Sequence, residues 1–216
     1  TSSITSIKGD NLISGLGGST IATALQGKVS GLTISGSASP NASNGYQLRG
    51  VASVNAGKGP LVVIDGVPGG DLRIINQEDI ESIDVLKDAS AGAIYGTRAA
   101  AGVILVTTKR AKEGKTQVTY SMELSTESVR KHLDLLSSQE YTEYGLGQDY
   151  GYDTDWYKQL TNDHPFSQRH SLAINGGTKN LQLYSSFVYS DQKGIVIGDG
   201  RKDYSARLNG RYTMWD

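Results

Sequence analysis

Hydrophobic and polar positions follow two different patterns along this chain. Up to about residue 110, apolar residues come in short unbroken runs, such as 61–64 and 102–106. From residue 117 onward they alternate with polar residues. Unbroken runs are typical of strands buried on both faces, whereas alternation indicates strands with one apolar and one polar face. The 216 residues therefore predict two structural parts, each built largely of strands.

The stretch 79–109 organises the first part. Its two apolar runs, suited to buried strands, flank a segment of small residues that predicts a helix over 89–95. Asp88 is a suitable N-cap, and Gly96 can take the left-handed conformation that ends a helix. Periodicity alone therefore predicts that residues 79–109 form a strand, a short helix and a second strand of a small α/β domain.

Shorter elements complete the first part. A helix is predicted over 21–26, and strands over 32–35, 46–50 and 61–65. A charged linker at 111–115 then marks the change of pattern, so we expect a domain boundary between residues 114 and 115.

The second part predicts about four antiparallel strands, over 117–126, 167–175, 181–190 and 203–215. In the last of these, Arg207 and Arg211 belong to the polar row. The pattern alone fits equally a soluble β-sandwich and part of a membrane β-barrel. Charge on the inner face and tyrosines near strand ends are features of a barrel with a wet lumen and interfacial aromatic residues.

Composition excludes several classes of function. Lys+Arg number 21 and Asp+Glu 22, giving a net charge of -1, which argues against a nucleic-acid partner. The absence of cysteine rules out disulfides and cysteine-ligated metals within this sequence. No run reaches the roughly 20 apolar residues that a membrane-spanning helix needs, and residues 1–4 do not resemble a signal peptide.

Candidate chemistry is sparse. The three histidines are not spaced as a helical metal pair, and no nucleophile-elbow motif is present. Asp149, Asp153 and Asp155 could bind calcium, although they lack the full loop pattern, and a solvated acidic loop is the preferred interpretation. We therefore expect no enzyme activity, no cofactor and no metal site.

Two further hypotheses concern binding and packing. Loop residues could contact a ligand, with aromatic rings stacking on a sugar or only anchoring the loop: Asn55, Lys58, Tyr150, Tyr152 and Trp156. Arg49 and Asp65 could form an ion pair inside the first part, or both could be solvated.

The sequence of residues 79–109 resembles, nearly residue for residue, the end of the plug domain of SusC-like TonB-dependent outer-membrane transporters. The matching positions are Asp79, Glu81, Lys87, Asp88, Tyr95, Gly96, Arg98 and Gly102. Residues 24–32 and 48–68 are similar to the same plug. The segments 133–141, 154–156, 175–178 and 194–198 are similar, more weakly, to the opening barrel segment of these transporters.

The resemblance implies an α+β plug domain, with a small mixed sheet and short helices, over residues 1–114. Antiparallel strands of a large transmembrane β-barrel would follow over 115–216. Since about eight strands are needed to close a barrel, we expect the chain to be part of a longer protein. A TonB box, which normally precedes the plug, is not recognisable in residues 1–11.

The resemblance also implies a function and a location. It implies TonB-dependent import of glycans or peptides across the bacterial outer membrane, with the plug gating the barrel. The implied partners are a SusD-like surface lipoprotein, the TonB–ExbB–ExbD complex, the cargo and outer-membrane lipid, with no nucleic acid. The alternatives are a soluble carbohydrate-binding module and, third, a hydrolase, which would need acids clustered in a cleft.

Overall fold

The computed structural model describes residues 4–12, 21–36, 39–42, 45–48, 59–87, 94–131, 135–148, 150–152 and 154–214. The strands are β1 (Ile4–Lys8), β2 (Leu32–Ser35), β3 (Gly45–Leu48), β4 (Leu61–Ile64), β5 (Val67–Pro68), β6 (Ile80–Leu86), β7 (Val103–Thr108), β8 (Gly114–Thr126), β9 (Phe166–Gly177), β10 (Leu181–Lys193) and β11 (Gly200–Tyr212). The helices are α1 (Ile21–Leu25), α2 (Ser138–Glu143) and α3 (Trp156–Leu160), and 3-10 turns occupy Gly9–Asn11, Leu72–Ile74, Gln77–Asp79 and Gly96–Ala99.

Sheet 1 is a five-stranded mixed sheet in the order β1-β6-β7-β4-β5. Only β4 and β7 pair in parallel, and β2 and β3 form a separate two-stranded ribbon. The unit over 79–109 is therefore a pair of antiparallel strands, β6 and β7, with a long connection rather than a parallel crossover. Strand β1, which pairs with β6, was not predicted because its five residues carry too short a pattern to stand out.

The core of the first part lies mainly on one face of sheet 1. Ile83, Val85, Ile104 and Val106 are buried there in one cluster with residues of α1 and the β2–β3 ribbon. A smaller cluster around Val103 covers the other face. Because β6 and β7 contribute to both clusters, their nearly continuous apolar runs are explained by burial on two sides.

Sheet 2 consists of four antiparallel strands in the order β11-β10-β9-β8. Strands β8, β10 and β11 have 13 residues each and β9 has 12. The predicted strands are thus confirmed, with β11 beginning at Gly200 rather than at residue 203. Among the described residues, no helix combines the length and the apolar character needed to cross a membrane.

Candidate functional site

The two faces of sheet 2 have different surroundings. On β10, side chains that point toward sheet 1 are buried, such as Tyr184 and Val188, each 2% exposed. Neighbouring positions on the opposite face are open, as at Phe187, which is 49% exposed, and Leu208, which is 73% exposed. The alternation predicted for β8 and β11 is confirmed, because inward residues such as Ser121 and Arg207 are polar and outward residues such as Met122 and Leu208 are apolar. On β10 the inward row also contains the buried Tyr184 and Val188.

Aromatic rings cross the outward face in a single line, at successive centroid distances of 6.3, 6.2 and 5.1 Å: Tyr120, His170, Tyr189 and Tyr204. On the side of the line toward the β10–β11 connection, Asp191 and Lys202 form an ion pair of 3.3 Å. On the other side the exposed residues are mainly apolar, including Leu208. On β10 and β11 the outward face thus changes from apolar to charged at this line, which lies within the strands rather than at their ends, whereas the exposed Leu124 and Phe166 of β8 and β9 lie beyond it.

On the inward face, Arg207 of β11 reaches a carboxylate of the first part. Its Nη2 lies 2.9 Å from Oδ2 of Asp65, and both side chains are about three-quarters buried, at 28% and 26% exposure. The Asp65 carboxylate also accepts hydrogen bonds from the Thr108 amide, at 3.0 Å, and from the Thr108 hydroxyl, at 2.6 Å. Arg207 donates a further hydrogen bond to Thr108 Oγ1. One carboxylate therefore joins β7 and β11.

The backbone at Asp65 presents this carboxylate. Asp65 and Gly66 form the two-residue turn between β4 and β5, with φ of 48° and 88°. Aspartate tolerates the left-handed region better than most residues, and Asp-Gly suits this tight hairpin turn. Burial raises the pKa of Asp65, but the hydrogen bonds from Thr108 and Arg207 outweigh it, so that the pKa lies below its ordinary value of 3.8.

Further hydrogen bonds join the first part to sheet 2. Tyr184 donates a hydrogen bond of 2.9 Å to Asp79, and both residues are buried, at 2% and 3% exposure. Asn76 Nδ2 donates to Ser205 Oγ at 2.7 Å. Because Asp79 belongs to the matching positions of the plug motif, this contact gives one of them a structural role.

A looser contact lies beside these two. Arg169 of β9 is 3.6 Å from Glu78, and the two side chains are 14% and 16% exposed. Among the described residues, three buried side-chain atoms lack a hydrogen-bond partner, namely Glu78 Oε2, Arg169 Nε and Ser190 Oγ. Arg169 and Ser190 are directly paired across β9 and β10, so these unsatisfied atoms cluster where the first part meets sheet 2.

The other described residues of the plug motif make contacts within the first part or with its linker. Glu81 forms an ion pair with Lys112 at 3.0 Å, and Lys87 donates to Ser30 at 2.8 Å. Tyr95 packs on the smaller apolar cluster, and Arg98 belongs to the 3-10 turn beside it.

The two motif glycines have different roles. Gly96 has a φ of 66°, as predicted, although a 3-10 turn continues beyond it to Ala99. Gly102 has a φ of 92°, and a Cβ there would lie 2.4 Å from Leu48 and 2.9 Å from the Leu86 carbonyl oxygen. Only at Gly102 does close packing add to the backbone requirement.

Several predicted residues lie outside the described part of the chain: Asn55, Lys58, Asp88, Arg49, Asp149 and Asp153. The Arg49–Asp65 pair therefore stays a prediction, while Asp65 has the partners given above. Tyr150, Tyr152 and Trp156 lie in the β8–β9 connection and are 79%, 81% and 61% exposed. Asp155 caps α3 by accepting from the Lys158 amide at 3.0 Å. Ligand contact by the aromatic residues stays a prediction.

Sequence reasoning did not single out Thr108, Arg169 or Tyr184. Thr108 ends an apolar run, and the other two stand at inward positions of alternating strands. Membership of the polar row is the one signal that could have found Arg169, since a charged residue in such a row must meet either water or a partner.

The geometry defines a class of protein, in which a small mixed-sheet domain is attached by polar side chains to the inner face of an antiparallel sheet. Here that sheet is sheet 2, which we call the wall, and its outer face is mainly apolar. Residues 1–103 match the TonB-dependent Receptor Plug Domain family. The TonB-dependent receptor SusC of Bacteroides thetaiotaomicron is 37% identical over 97% of this chain and 22% of its own length. TonB-dependent receptor P3 of Formosa agariphila is 34% identical over 86% of this chain and 19% of its own.

Solved structures agree with this assignment. The RagAB peptide importer in its closed-closed state is similar with a TM-score of 0.85 and 25% identity, covering 100% of this chain and 29% of that one. The chain belongs to the SusC-like TonB-dependent receptors. It spans about a fifth of the length of the curated relatives. The first part has the plug fold, and sheet 2 is an unclosed segment of the barrel.

Proposed function

We propose that this chain is the plug and the first four strands of an active importer in the bacterial outer membrane, with the plug occupying residues 1–114 and the barrel segment residues 115–216. The plug closes the barrel lumen and is released by energy delivered through TonB and its ExbB–ExbD partners. The cargo is an oligosaccharide or a peptide, received with a SusD-like surface lipoprotein. The protein works without a cofactor and without catalysis.

The observation that carries the proposal is the polar attachment of the plug to the inner face of an apolar-coated wall. A wall strand with Arg207 pointing inward and Leu208 pointing outward matches a barrel that has a wet lumen and a lipid-facing surface. From Tyr204 to Tyr212, β11 would rise about 20 Å along the membrane normal at a tilt of about 40°, close to the apolar height of such barrels.

Energy-dependent uptake tests this function. Cells that express the full-length transporter would be given defined pools of fluorescent oligosaccharides and peptides, with and without a protonophore. The expected result is fractionation with the outer membrane and uptake of one pool that the protonophore abolishes. A protein that remains monomeric in buffer, without outer-membrane fractionation, would favour the soluble carbohydrate-binding module.

A further inference from the structure

Two connections leave sheet 2 at the same end. The β8–β9 connection, residues 127–165, and the β10–β11 connection, residues 194–199, both lie opposite the short β9–β10 turn. In outer-membrane barrels the turns at the periplasmic end are short and the loops at the outer end are longer. The placement of both connections at the outer mouth of a barrel therefore rests on the proposed import function. We call them the outer connections.

The outer connections are bound to each other. Residues 160–162 and 195–197 form a short antiparallel bridge, closed by two backbone hydrogen bonds of 2.7 and 2.9 Å. Asn162 adds a third hydrogen bond, from its side-chain amide to the Gly194 carbonyl oxygen at 3.1 Å. The β10–β11 connection is itself closed by a hydrogen bond of 2.8 Å from the Gly194 amide to the Asp199 carbonyl oxygen. The end of the β8–β9 connection therefore depends on the position of the β10–β11 connection.

A turn of the plug, residues 39–42, reaches the β10–β11 connection. Pro40 stands at the second position of this turn, where its fixed φ is favourable, and Ser39 Oγ accepts from the Asn41 amide at 3.2 Å. A hydrogen bond of 3.2 Å between the first carbonyl and the last amide closes the turn. The local sequence thus sets the shape of the turn and the place of Asn41 within it. We call it the plug turn.

Asn41 joins the plug turn to the β10–β11 connection. Its Nδ2 donates to Oδ1 of Asp199 at 2.9 Å and to the Gly200 carbonyl oxygen at 3.1 Å, so both hydrogens of the amide can be used. Close packing accompanies these bonds, because a Cβ added at the buried Gly194 would lie 3.0 Å from Pro40 Cδ. The plug therefore holds this connection through polar and packing contacts together.

We propose that Asn41 is a positioning residue through which the plug holds both outer connections in place. Their exposed side chains shape the surface at the mouth of the barrel, and they include large apolar residues: Trp156, Leu160, Val196 and Ile197. A plug turn that moved away would release the β10–β11 connection directly and the β8–β9 connection through it. Because coupling between two sites is reciprocal, fixing the outer connections would in turn hold the plug turn.

Hydrogen exchange of the full-length transporter in detergent tests this role. Two matched variants each remove one side-chain amide that joins the plug to the wall. Asn41→Ala acts at the plug turn, and Asn76→Ala loses the 2.7 Å hydrogen bond to Ser205. The measured amides are those of Asn162 and Ile197, which form the bridge between the outer connections. Because exchange is measured without transport, failure of the uptake assay would leave this result standing.

We expect Asn41→Ala to speed exchange at both amides about three- to tenfold, because a hydrogen bond of typical net strength corresponds to such a factor. Asn76→Ala should leave both rates within about twofold of the parent protein, since distant contacts act independently. Unchanged exchange in Asn41→Ala would overturn the proposal, because the outer connections would then hold themselves. Equal acceleration in both variants would also overturn it, because any loosening of the plug would then have the same effect.

Discussion

The contact between Asp65 and Arg207 should stabilise the attachment of the plug to the wall by a measurable coupling energy. A double-mutant cycle isolates it. Asp65→Asn keeps a residue that tolerates the positive φ of 48° at this position. Arg207→Met keeps the apolar stem and removes the guanidinium.

The magnitude follows from distance and burial. At 2.9 Å the Coulomb attraction is about 6 kcal/mol for an effective dielectric constant of about 20, and about 1.4 kcal/mol in bulk water. Both groups keep about a quarter of their exposure, and desolvation offsets most of the attraction. We therefore expect a coupling of about 1–2 kcal/mol, between the values for exposed and for buried pairs.

Urea unfolding of the plug in the detergent-solubilised full-length transporter measures this coupling. A fluorophore on Ile74→Cys, at a site 71% exposed and close to the wall, reports plug release. Arg207→Met should lower the free energy of unfolding by about 1–2 kcal/mol alone and by much less in the Asp65→Asn background. Equal losses in both backgrounds, within about 0.5 kcal/mol, would mean that Asp65 and Arg207 are not energetically coupled.

Four other predictions follow from single contacts. Tyr184→Phe leaves the buried Asp79 without its hydroxyl donor and should lower the free energy of unfolding by about 1–3 kcal/mol, whereas an unchanged urea midpoint would contradict the contact. Gly102→Ala should cost about 2–4 kcal/mol, and clearly more than Gly96→Ala, where a Cβ meets open space; equal losses would argue against the close approach. Leu208→Arg should reduce folding into lipid bilayers by about 2–4 kcal/mol and leave detergent stability nearly unchanged, and the reverse result would place this side chain away from lipid. The pKa of Asp65 is depressed, so its stabilisation is present above pH 3.8 and is lost as pH falls through the lower folded value; a plug-release titration in which Asp65→Asn removes no acid-dependent loss would disprove it.

Local patterns predicted the strands well, because a strand buried on both faces has consecutive apolar residues and a strand buried on one face has alternating ones. Residues 61–64 and 103–106 are unbroken apolar runs, and 203–212 alternate, so each of these strands was identified without its neighbours. The inward position of Arg207 followed from the same alternation.

The contacts between the two parts could not be predicted in this way. Asp65 and Arg207 are 142 positions apart, and a period-two pattern says which face a residue occupies but not what stands opposite. The sequence suggested an ion pair of Asp65 with Arg49, which lies outside the described residues, and gave no sign of Arg207 as a partner. The order of sheet 1 and the edge strand β1 likewise depend on pairing between distant segments. The resemblance of the sequence to the plug and barrel segments of known transporters identified the two domains, but not the side chains that join them.

Quenching by brominated lipids along β11 tests the central claim most directly, that sheet 2 has one face in lipid and the other against the plug. Fluorophores would be attached to single cysteines replacing Ser205, Ala206, Leu208 and Asn209 in the full-length transporter in liposomes. We expect strong quenching at 206 and 208 and weak quenching at 205 and 209, because of these four positions only the even ones face outward. Uniform quenching, no quenching, or the opposite phase would contradict it.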